Sequence, residues 1–262
     1  MNKQENSTGK PLANSVWLKN HHIAKLPERT AFAKKLVNLH PKRIVDLGCA
    51  TGLWFDLLNQ WMPDDCEFIG IDSDYESLKI AENRSKKWKR NTSFIQLDIE
   101  KDATLIPPSD LTLAFNVFPY IQDLERFIYI LSSRLPQGVL AVRQYDGAAI
   151  RFGPMVTSTR QKMEIDLRIA TENSKKFHHY DLDRVFDALH KSLYKNSEFN
   201  FELFERTSPF SEDFIPYYNQ MLDWTVHNTS ETSANNLKQW ISTYNESCNR
   251  YFYEVDLVAL LS

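Results

Sequence analysis

Two glycines follow the first strongly apolar segment of the chain, in the run Val45-Asp46-Leu47-Gly48-Cys49-Ala50-Thr51-Gly52. A backbone that turns at once from a buried strand into a helix, and passes close to a ligand, needs glycine because a Cβ atom would clash. A dinucleotide-binding fingerprint would place glycines at 48, 50 and 53, whereas Ala50 and Leu53 occupy two of these positions. The segment therefore favours a nucleotide-like ligand other than a dinucleotide.

Polar side chains recur where the next apolar segments end. Asp72 ends the second segment, 20 residues after Gly52, while Asp98 ends the third and Asn116 the fourth. A carboxylate at Asp72 can accept both hydroxyl protons of a ribose. Because ligands bind at the carboxyl edge of an open parallel sheet, we expect these side chains to surround one ligand.

Short strands alternating with amphipathic helices must position these residues. The helix before the first strand is predicted over residues 27–40, with Phe32, Leu36 and Leu39 on one face. The five strands are predicted at Arg43–Leu47, Phe68–Ile71, Ser93–Leu97, Leu111–Phe115 and Val139–Arg143. Such alternation is typical of right-handed βαβ units in a doubly wound, mostly parallel sheet.

The second half of the chain differs in composition from the first, because no glycine follows Gly153. It contains a predicted helix from Leu182, a strand over Phe199–Phe204, two further helical patterns and a final strand over Tyr251–Leu261. The fold class predicted is α/β, Rossmann-like, with seven strands, helices on both faces and a helical insertion before the last strand. Residues 1–25 are predicted as a polar tail and lead-in, and 26–262 as one domain with elaborations at 147–180 and 207–248.

Composition limits the function classes. The 262 residues are 42% hydrophobic and carry a net charge of −3, which disfavours a protein that coats nucleic acid or an anionic membrane. The 3 cysteines are scattered without metal-ligand spacing, so we expect a reducing, cytoplasmic setting and no metal site. The apolar runs are too short to cross a bilayer, and we expect no membrane association.

The segment Val45–Gly52 resembles motif I of the class I S-adenosylmethionine-dependent methyltransferases. The pattern of that motif is an acidic residue followed by three alternating glycines, and Asp46, Gly48 and Gly52 match it while Ala50 replaces the middle glycine. The resemblance extends over about residues 26–146. It implies S-adenosylmethionine as cofactor and methyl transfer as activity.

The resemblance also implies roles for individual residues. The loop after the first strand would receive the methionine part, Asp72 the ribose, and Asp98 with Ile99 the adenine. Asn116 would touch the methionine part or the substrate, and Arg29 would lie near the cofactor carboxylate. The complete set expected at the cofactor is Arg29, Asp46, Gly48, Cys49, Ala50, Gly52, Asp72, Ser73, Asp98, Ile99 and Asn116.

The methyl acceptor is less constrained by the sequence. The segment Asn116–Tyr120 lacks the paired prolines typical of methyltransferases that act on exocyclic amines. Aromatic residues after position 153 favour a roof over a pocket for a small, weakly polar acceptor. Candidate catalytic residues are His178, His179 and Tyr145, and candidate substrate contacts are Phe118, Tyr120 and Arg151.

The predicted function is methyl transfer to an oxygen or nitrogen of a small molecule, which could be a specialised metabolite. The alternatives are an RNA or protein methyltransferase and a non-catalytic regulator that binds S-adenosylmethionine. The basic run Arg84–Arg90 could contact nucleic acid, but a solvated helix end explains it better. The sequence predicts no oligomeric state.

Overall fold

The computed structural model describes residues 13–135, 137–173, 182–243 and 249–262. Within these ranges the helices are α1 (Ser15–Ala24), α2 (Leu26–Val37), α3 (Leu53–Leu58), α4 (Tyr75–Ser85), α5 (Leu124–Arg134), α6 (Thr157–Asn173), α7 (Leu182–His190), α8 (Ile215–Asn228) and α9 (Glu231–Ser242). The strands are β1 (Arg43–Leu47), β2 (Glu67–Asp72), β3 (Thr92–Gln96), β4 (Leu111–Phe115), β5 (Val139–Tyr145), β6 (Arg151–Gly153), β7 (Ser197–Thr207) and β8 (Tyr251–Leu261).

The strands form one sheet in the order β3-β2-β1-β4-β5-β8, and β6 and β7 both pair with β8. Strands β1 to β5 run parallel, whereas β8 is antiparallel to β5 and to β7. The predicted α/β, Rossmann-like fold is thus confirmed. The structure adds β6, a three-residue strand that continues the path of β5 along β8, since Tyr145 pairs with Asp256 and Arg151 with Tyr253.

Helices cover both faces of the sheet because each presents an apolar stripe to it. Phe32 and Leu36 of α2 pack with α3 on one face. Phe127 and Leu131 of α5 pack with α7 on the other. The central strands β1 and β4 are buried on both faces, which is why they appear in the sequence as continuous apolar runs.

A third apolar cluster joins α6, α8 and α9 to the ends of β6 and β8. Helices α8 and α9 lie between β7 and β8, where the sequence predicts an insertion. Helix α1 was not predicted, because its residues fall in the stretch assigned to a tail and lead-in. It begins after Asn14, whose side chain accepts a hydrogen bond from the backbone N–H of Trp17 at 2.8 Å.

Buried charges fasten the junction of α1 and α2 to the last strand. The Nζ atom of Lys25 pairs with Glu254 and lies 2.8 Å from Asp256 Oδ1, and Arg143 Nη2 lies 2.9 Å from Asp256 Oδ2. Burial by itself would raise the pKa of Asp256, but the two cations hold it at about 2. The Tyr217 hydroxyl of α8 donates to Glu254 at 2.8 Å, so the network also reaches the helical insertion.

Across the described ranges, no helix combines the length and the apolar character needed to cross a membrane.

Candidate functional site

A cavity of about 190 Å³ lies at the carboxyl ends of the parallel strands, bordered by α1. Its lining includes twelve of the predicted site residues: Arg29, Asp46, Gly48, Cys49, Ala50, Asp72, Ser73, Asp98, Ile99, Asn116, Tyr120 and Tyr145. The sheet topology explains this grouping, because parallel strands end at the same edge.

The loop after β1 adopts the left-handed backbone that glycine favours. The φ angles of Gly48, Ala50 and Gly52 are 68°, 46° and 73°. A Cβ atom at Gly48 would stand 2.8 Å from a methyl of Val117, so this position requires glycine. Gly52 does not line the cavity, and a Cβ there would stand 3.2 Å from Ala81. Its small size therefore serves the packing of α3 against α4.

Asp72 at the end of β2 holds this loop in place. Its carboxylate accepts hydrogen bonds from the backbone N–H groups of Ala50 and Asp74, both at 2.8 Å. Burial raises the pKa of Asp72, while the two backbone donors act against that rise. The Asp72 side chain thus fixes the backbone of the glycine loop and also presents carboxylate oxygens to the cavity.

The next strand ends contribute Asp98 and Asn116. Asp98 forms an ion pair with Lys101 at 3.0 Å, and its neighbour Ile99 is buried. Asn116 has a φ of 56°, and its Oδ1 accepts the backbone N–H of Tyr145 at 3.1 Å. This bond fixes the end of β4 beside the end of β5.

Two buried ionisable side chains in the cavity wall, one acidic and one basic, have no ion-pair partner among the described residues. Burial, and then the charge of Asp72, raises the pKa of Asp46. Burial, and then Arg143, lowers the pKa of Arg29 to about 10, so this guanidinium is still charged at neutral pH. Its neighbours are two imidazoles, with Nη1 at 2.7 Å from His22 Nδ1 and Nη2 at 3.3 Å from His21 Nδ1. A carboxyl group and a guanidinium that both lack ion-pair partners in one cavity are complementary to a zwitterionic amino-acid group.

The histidines beside Arg29 should make the fold acid-sensitive. Burial, and then the guanidinium, lowers the pKa of His22 from 6.5 to about 3, and that of His21 falls in the same direction. As the pH falls, the unfolded chain therefore binds protons before the folded chain does. The contribution of these histidines to the free energy of unfolding is complete above pH 6.5 and is lost as the pH falls towards 3. Between pH 7 and pH 5 we expect His22 alone to lower the free energy of unfolding by about 2 kcal/mol.

Urea denaturation at pH 7, 6 and 5 measures this effect. His22→Phe should flatten the dependence on pH, whereas His227→Phe, at an exposed position of α8, should leave it as steep as in the parent protein. Equal slopes in the parent and His22→Phe would contradict the assignment.

Helix α1 supplies cavity residues that sequence reasoning missed. Trp17, Leu18 and His21 line the cavity from α1, and Trp54 of α3 lines it below Arg29, whose guanidinium carbon lies 5.1 Å from the Trp54 ring centre. The Asn14 cap followed by Trp17, Leu18 and His21 on one helical face was the available signal.

Three predicted residues lie away from the cavity. Gly52 packs helices as described, and Phe118 is fully buried in the main core because the short 3₁₀ turn Phe118–Tyr120 directs it inward. Arg151 donates to the Tyr253 hydroxyl at 2.9 Å and does not reach the cavity. The candidate bases His178 and His179 lie outside the described residues.

The basic run after α4 has structural partners. Arg84 donates to the backbone oxygen of Thr51 at 2.9 Å, and Arg90 donates to that of Pro63 at 2.8 Å. Lys87 lies 3.0 Å from Asp56, which also accepts the Trp88 indole N–H at 2.9 Å. These contacts hold α3 to the segment after α4, which weakens the reading of the run as a nucleic-acid surface.

Comparison with known proteins agrees with this geometry. A family model described as a methyltransferase domain matches residues 40–180, more than half of the chain. A carboxy-S-adenosyl-L-methionine synthase of Helicobacter pylori is 34% identical over 113 residues, which cover 40% of this chain and 45% of that protein. A juvenile hormone acid O-methyltransferase of Bombyx mori is 39% identical over 87 residues, covering 32% and 31%. The chain thus spans less than half the length of these relatives.

Solved structures share the fold. A Bacillus halodurans structure described as that of a methyltransferase superposes with a TM-score of 0.57 at 12% identity, covering 88% of this chain and 97% of that one. This likeness shows the fold, and the family match over residues 40–180 shows that the chain belongs to the class I S-adenosylmethionine-dependent methyltransferases.

Proposed function

We propose that this protein transfers the methyl group of S-adenosylmethionine to an oxygen or nitrogen of a small molecule bound in the same cavity. The observation that carries the proposal is the composition of the cavity lining. Asp46 and Arg29 line the cavity without ion-pair partners among the described residues, the Asp72 side chain presents its carboxyl oxygens, and Trp17 and Tyr145 form aromatic walls. A cofactor that consists of a nucleoside and an amino acid is complementary to Asp46, Arg29 and Asp72. The aromatic walls suit a small acceptor.

Each strand end takes one part of the cofactor in this proposal. Asp72 accepts the ribose hydroxyl protons, and Asp98 with Ile99 holds the adenine. Arg29 pairs with the carboxylate and Asp46 with the ammonium group, while Asn116 and the Gly48–Ala50 turn face the methionine part. When bound, S-adenosylmethionine supplies a methyl carbon already activated by a sulfonium.

The protein then acts chiefly by positioning. Holding the acceptor in line with the methyl carbon can contribute about 7–11 kcal/mol to lowering the barrier. The rings of Trp17 and Trp54 exclude water from the cavity wall, and the bond from Tyr145 N–H to Asn116 fixes the wall nearest β5. The side chains of Tyr120 and Tyr145 are our candidates for orienting the acceptor.

Names of relatives give limited support to the choice of acceptor. The Bombyx mori relative is named for O-methylation of juvenile hormone acid, a small molecule. In the described part of the chain, no residue of α8 or α9 lines the cavity, so the expected aromatic roof is not seen; α8 reaches the cavity wall only through Tyr217, which packs on His21 and Trp17. A single domain that includes α1, and so begins before the predicted residue 26, and a cytoplasmic location are further parts of the proposal.

Labelled methyl transfer tests the proposal directly. The protein, with S-adenosylmethionine labelled at the methyl group, is added to an extract of its source cells, and the extract is then separated into small molecules, RNA and protein. We expect label in the small-molecule fraction. Label confined to RNA or to protein would identify one of the alternative acceptors, and cofactor binding without transfer to any fraction would indicate a regulatory protein.

The role of Arg29 has its own test. Arg29→Met removes the charge and keeps most of the buried volume, so it should weaken binding of S-adenosylhomocysteine by about tenfold or more. Binding of 5′-methylthioadenosine, which lacks the amino-acid group, should change much less. Calorimetry with both ligands measures the difference, and an equal loss for both would contradict a contact to the carboxylate.

A further inference from the structure

His21 of α1 is a buried side chain for which the proposed cofactor contacts leave no role. Its ring stacks on Tyr217 with centres 5.1 Å apart and meets Tyr145 edge-on at 6.1 Å. The side chain is 6% exposed and lines the cavity between Arg29 and the end of β5. It therefore lies at the side of the cavity that Tyr145 borders.

The tautomer of His21 follows from its neighbour. A guanidinium has only donors, so the Nδ1 atom 3.3 Å from Arg29 Nη2 must be the acceptor. The ring is neutral, because burial and then Arg29 lower its pKa well below 6.5. The single ring proton is consequently on Nε2. His21 can donate a hydrogen bond from this atom and cannot act there as a general base.

The donor on Nε2 is enclosed and has no hydrogen-bond partner among the described residues. An unsatisfied buried donor costs about 1–3 kcal/mol. Because the side chain lines the cavity, a ligand there can supply the missing acceptor atom.

The surroundings of His21 favour an anion. Arg29 uses donors on the two neutral imidazoles of His21 and His22 and has others to spare. In the described part of the chain, no carboxylate lies within ion-pair distance of that guanidinium. With the cofactor carboxylate paired to Arg29, the Nε2–H of His21 still lacks an acceptor, and a hydrogen bond from this donor to a carboxylate is stronger than one to an uncharged amide or alcohol.

We propose that the methyl acceptor carries a carboxylate, and that the Nε2–H of His21 donates a hydrogen bond to one of its oxygens beside the Arg29 guanidinium. This inference rests on the proposed function, since it takes the cavity to hold acceptor and cofactor together. Trp17, Leu18 and Trp54 provide apolar lining for the rest of such an acid.

A carboxylate acceptor also removes the need for a base. An electron pair of the oxygen that is not bound to His21 forms the new C–O bond, and the C–S bond breaks with its pair going to sulfur. The products are a methyl ester and S-adenosylhomocysteine, and no proton is transferred. The neutral, donating state of His21 fits this reaction.

Binding of two matched pairs of probes tests the inference without turnover. Octanoate is compared with octanamide, and phenylacetate with phenylacetamide, by calorimetry on protein saturated with S-adenosylhomocysteine. We expect the carboxylates to bind at least about tenfold more tightly than the amides. His21→Phe, which keeps a ring against Tyr217, should abolish this preference.

Two further variants keep the test decisive. His22→Phe removes the other imidazole beside Arg29, but His22 does not line the cavity, so the preference for carboxylates should persist. His21→Gln restores an amide N–H close to the Nε2 position, and part of the preference should return. Thermal unfolding verifies that each variant is folded.

Several outcomes would overturn the inference. They are an equal affinity of the parent protein for acids and amides, a failure of every acid to bind, and a preference that survives in His21→Phe. A loss of affinity for S-adenosylhomocysteine in His21→Phe, with the acids unaffected, would assign His21 to the cofactor. Absence of labelled methyl transfer together with an intact carboxylate preference would instead contradict the proposed function.

Discussion

Asp72→Ala is expected to weaken binding of S-adenosylmethionine by at least about a hundredfold. In the proposed complex, the substitution removes two charge-assisted hydrogen bonds to the ribose, each worth about 1.5–3 kcal/mol. It also frees the backbone N–H groups of Ala50 and Asp74, which the carboxylate holds at 2.8 Å. The glycine loop then loses its support at the same time as the ribose loses its acceptor. Calorimetric titration with S-adenosylmethionine measures the effect.

Two variants separate these contributions. Asp72→Asn keeps one acceptor oxygen, so its loss of affinity should be intermediate. Asp123→Ala removes a carboxylate from another strand-to-helix connection, where it accepts the backbone N–H of Arg126 at 3.1 Å, outside the cavity lining. Its affinity should stay within about twofold of the parent value. Wild-type affinity in Asp72→Ala would remove Asp72 from the cofactor site.

Asp256→Ala is expected to lower the free energy of unfolding by about 3–5 kcal/mol. The carboxylate lies between Lys25 and Arg143, and all three side chains are buried. Its removal takes away the one carboxylate that both cations share and leaves each with a single partner, Glu254 for Lys25 and Glu202 for Arg143. Since domains of this kind are stable by about 5–15 kcal/mol, the variant should be close to unfolding at 37 °C. Guanidinium denaturation measures the change.

An exposed ion pair provides the matched control. Lys42 Nζ lies 2.7 Å from Asp65 Oδ2, but the two side chains are 72% and 64% exposed. Water solvates both charges, so Asp65→Ala should cost less than about 1 kcal/mol. A similarly small loss in Asp256→Ala would show that the buried network contributes little to stability.

The parallel strands could be predicted to within about two residues because all of them except β3 are largely buried on both faces. β1 and β4 give uninterrupted apolar runs, Ile44–Leu47 and Leu111–Phe115. The same rule could not find β6, which has three residues and exists only because β8 is long enough to pair beyond the end of β5. Pairing across such sequence distances leaves no local signal.

The strand-end residues of the site followed from topology. Asp72, Asp98 and Asn116 could be grouped because parallel strands end at one edge. The side-chain direction after β4 could not be predicted, since Phe118 and Tyr120 share one 3₁₀ turn and only Tyr120 lines the cavity. The contribution of His21 depends on how α1 lies over the sheet edge, and its local sequence holds two histidines and weak amphipathic character.

The contact from Lys25 to β8 has a consequence for the order in which the chain can assemble. Lys25 and Asp256 are 231 residues apart, so α1 is synthesised long before the carboxylates that anchor its end. A nascent chain without β8 has the glycine loop and Asp72 but lacks the buried carboxylates that fasten the end of the helix carrying Trp17 and His21. Cofactor bound at that stage would lie in an open groove, so the step that closes the site is the addition of the final strand.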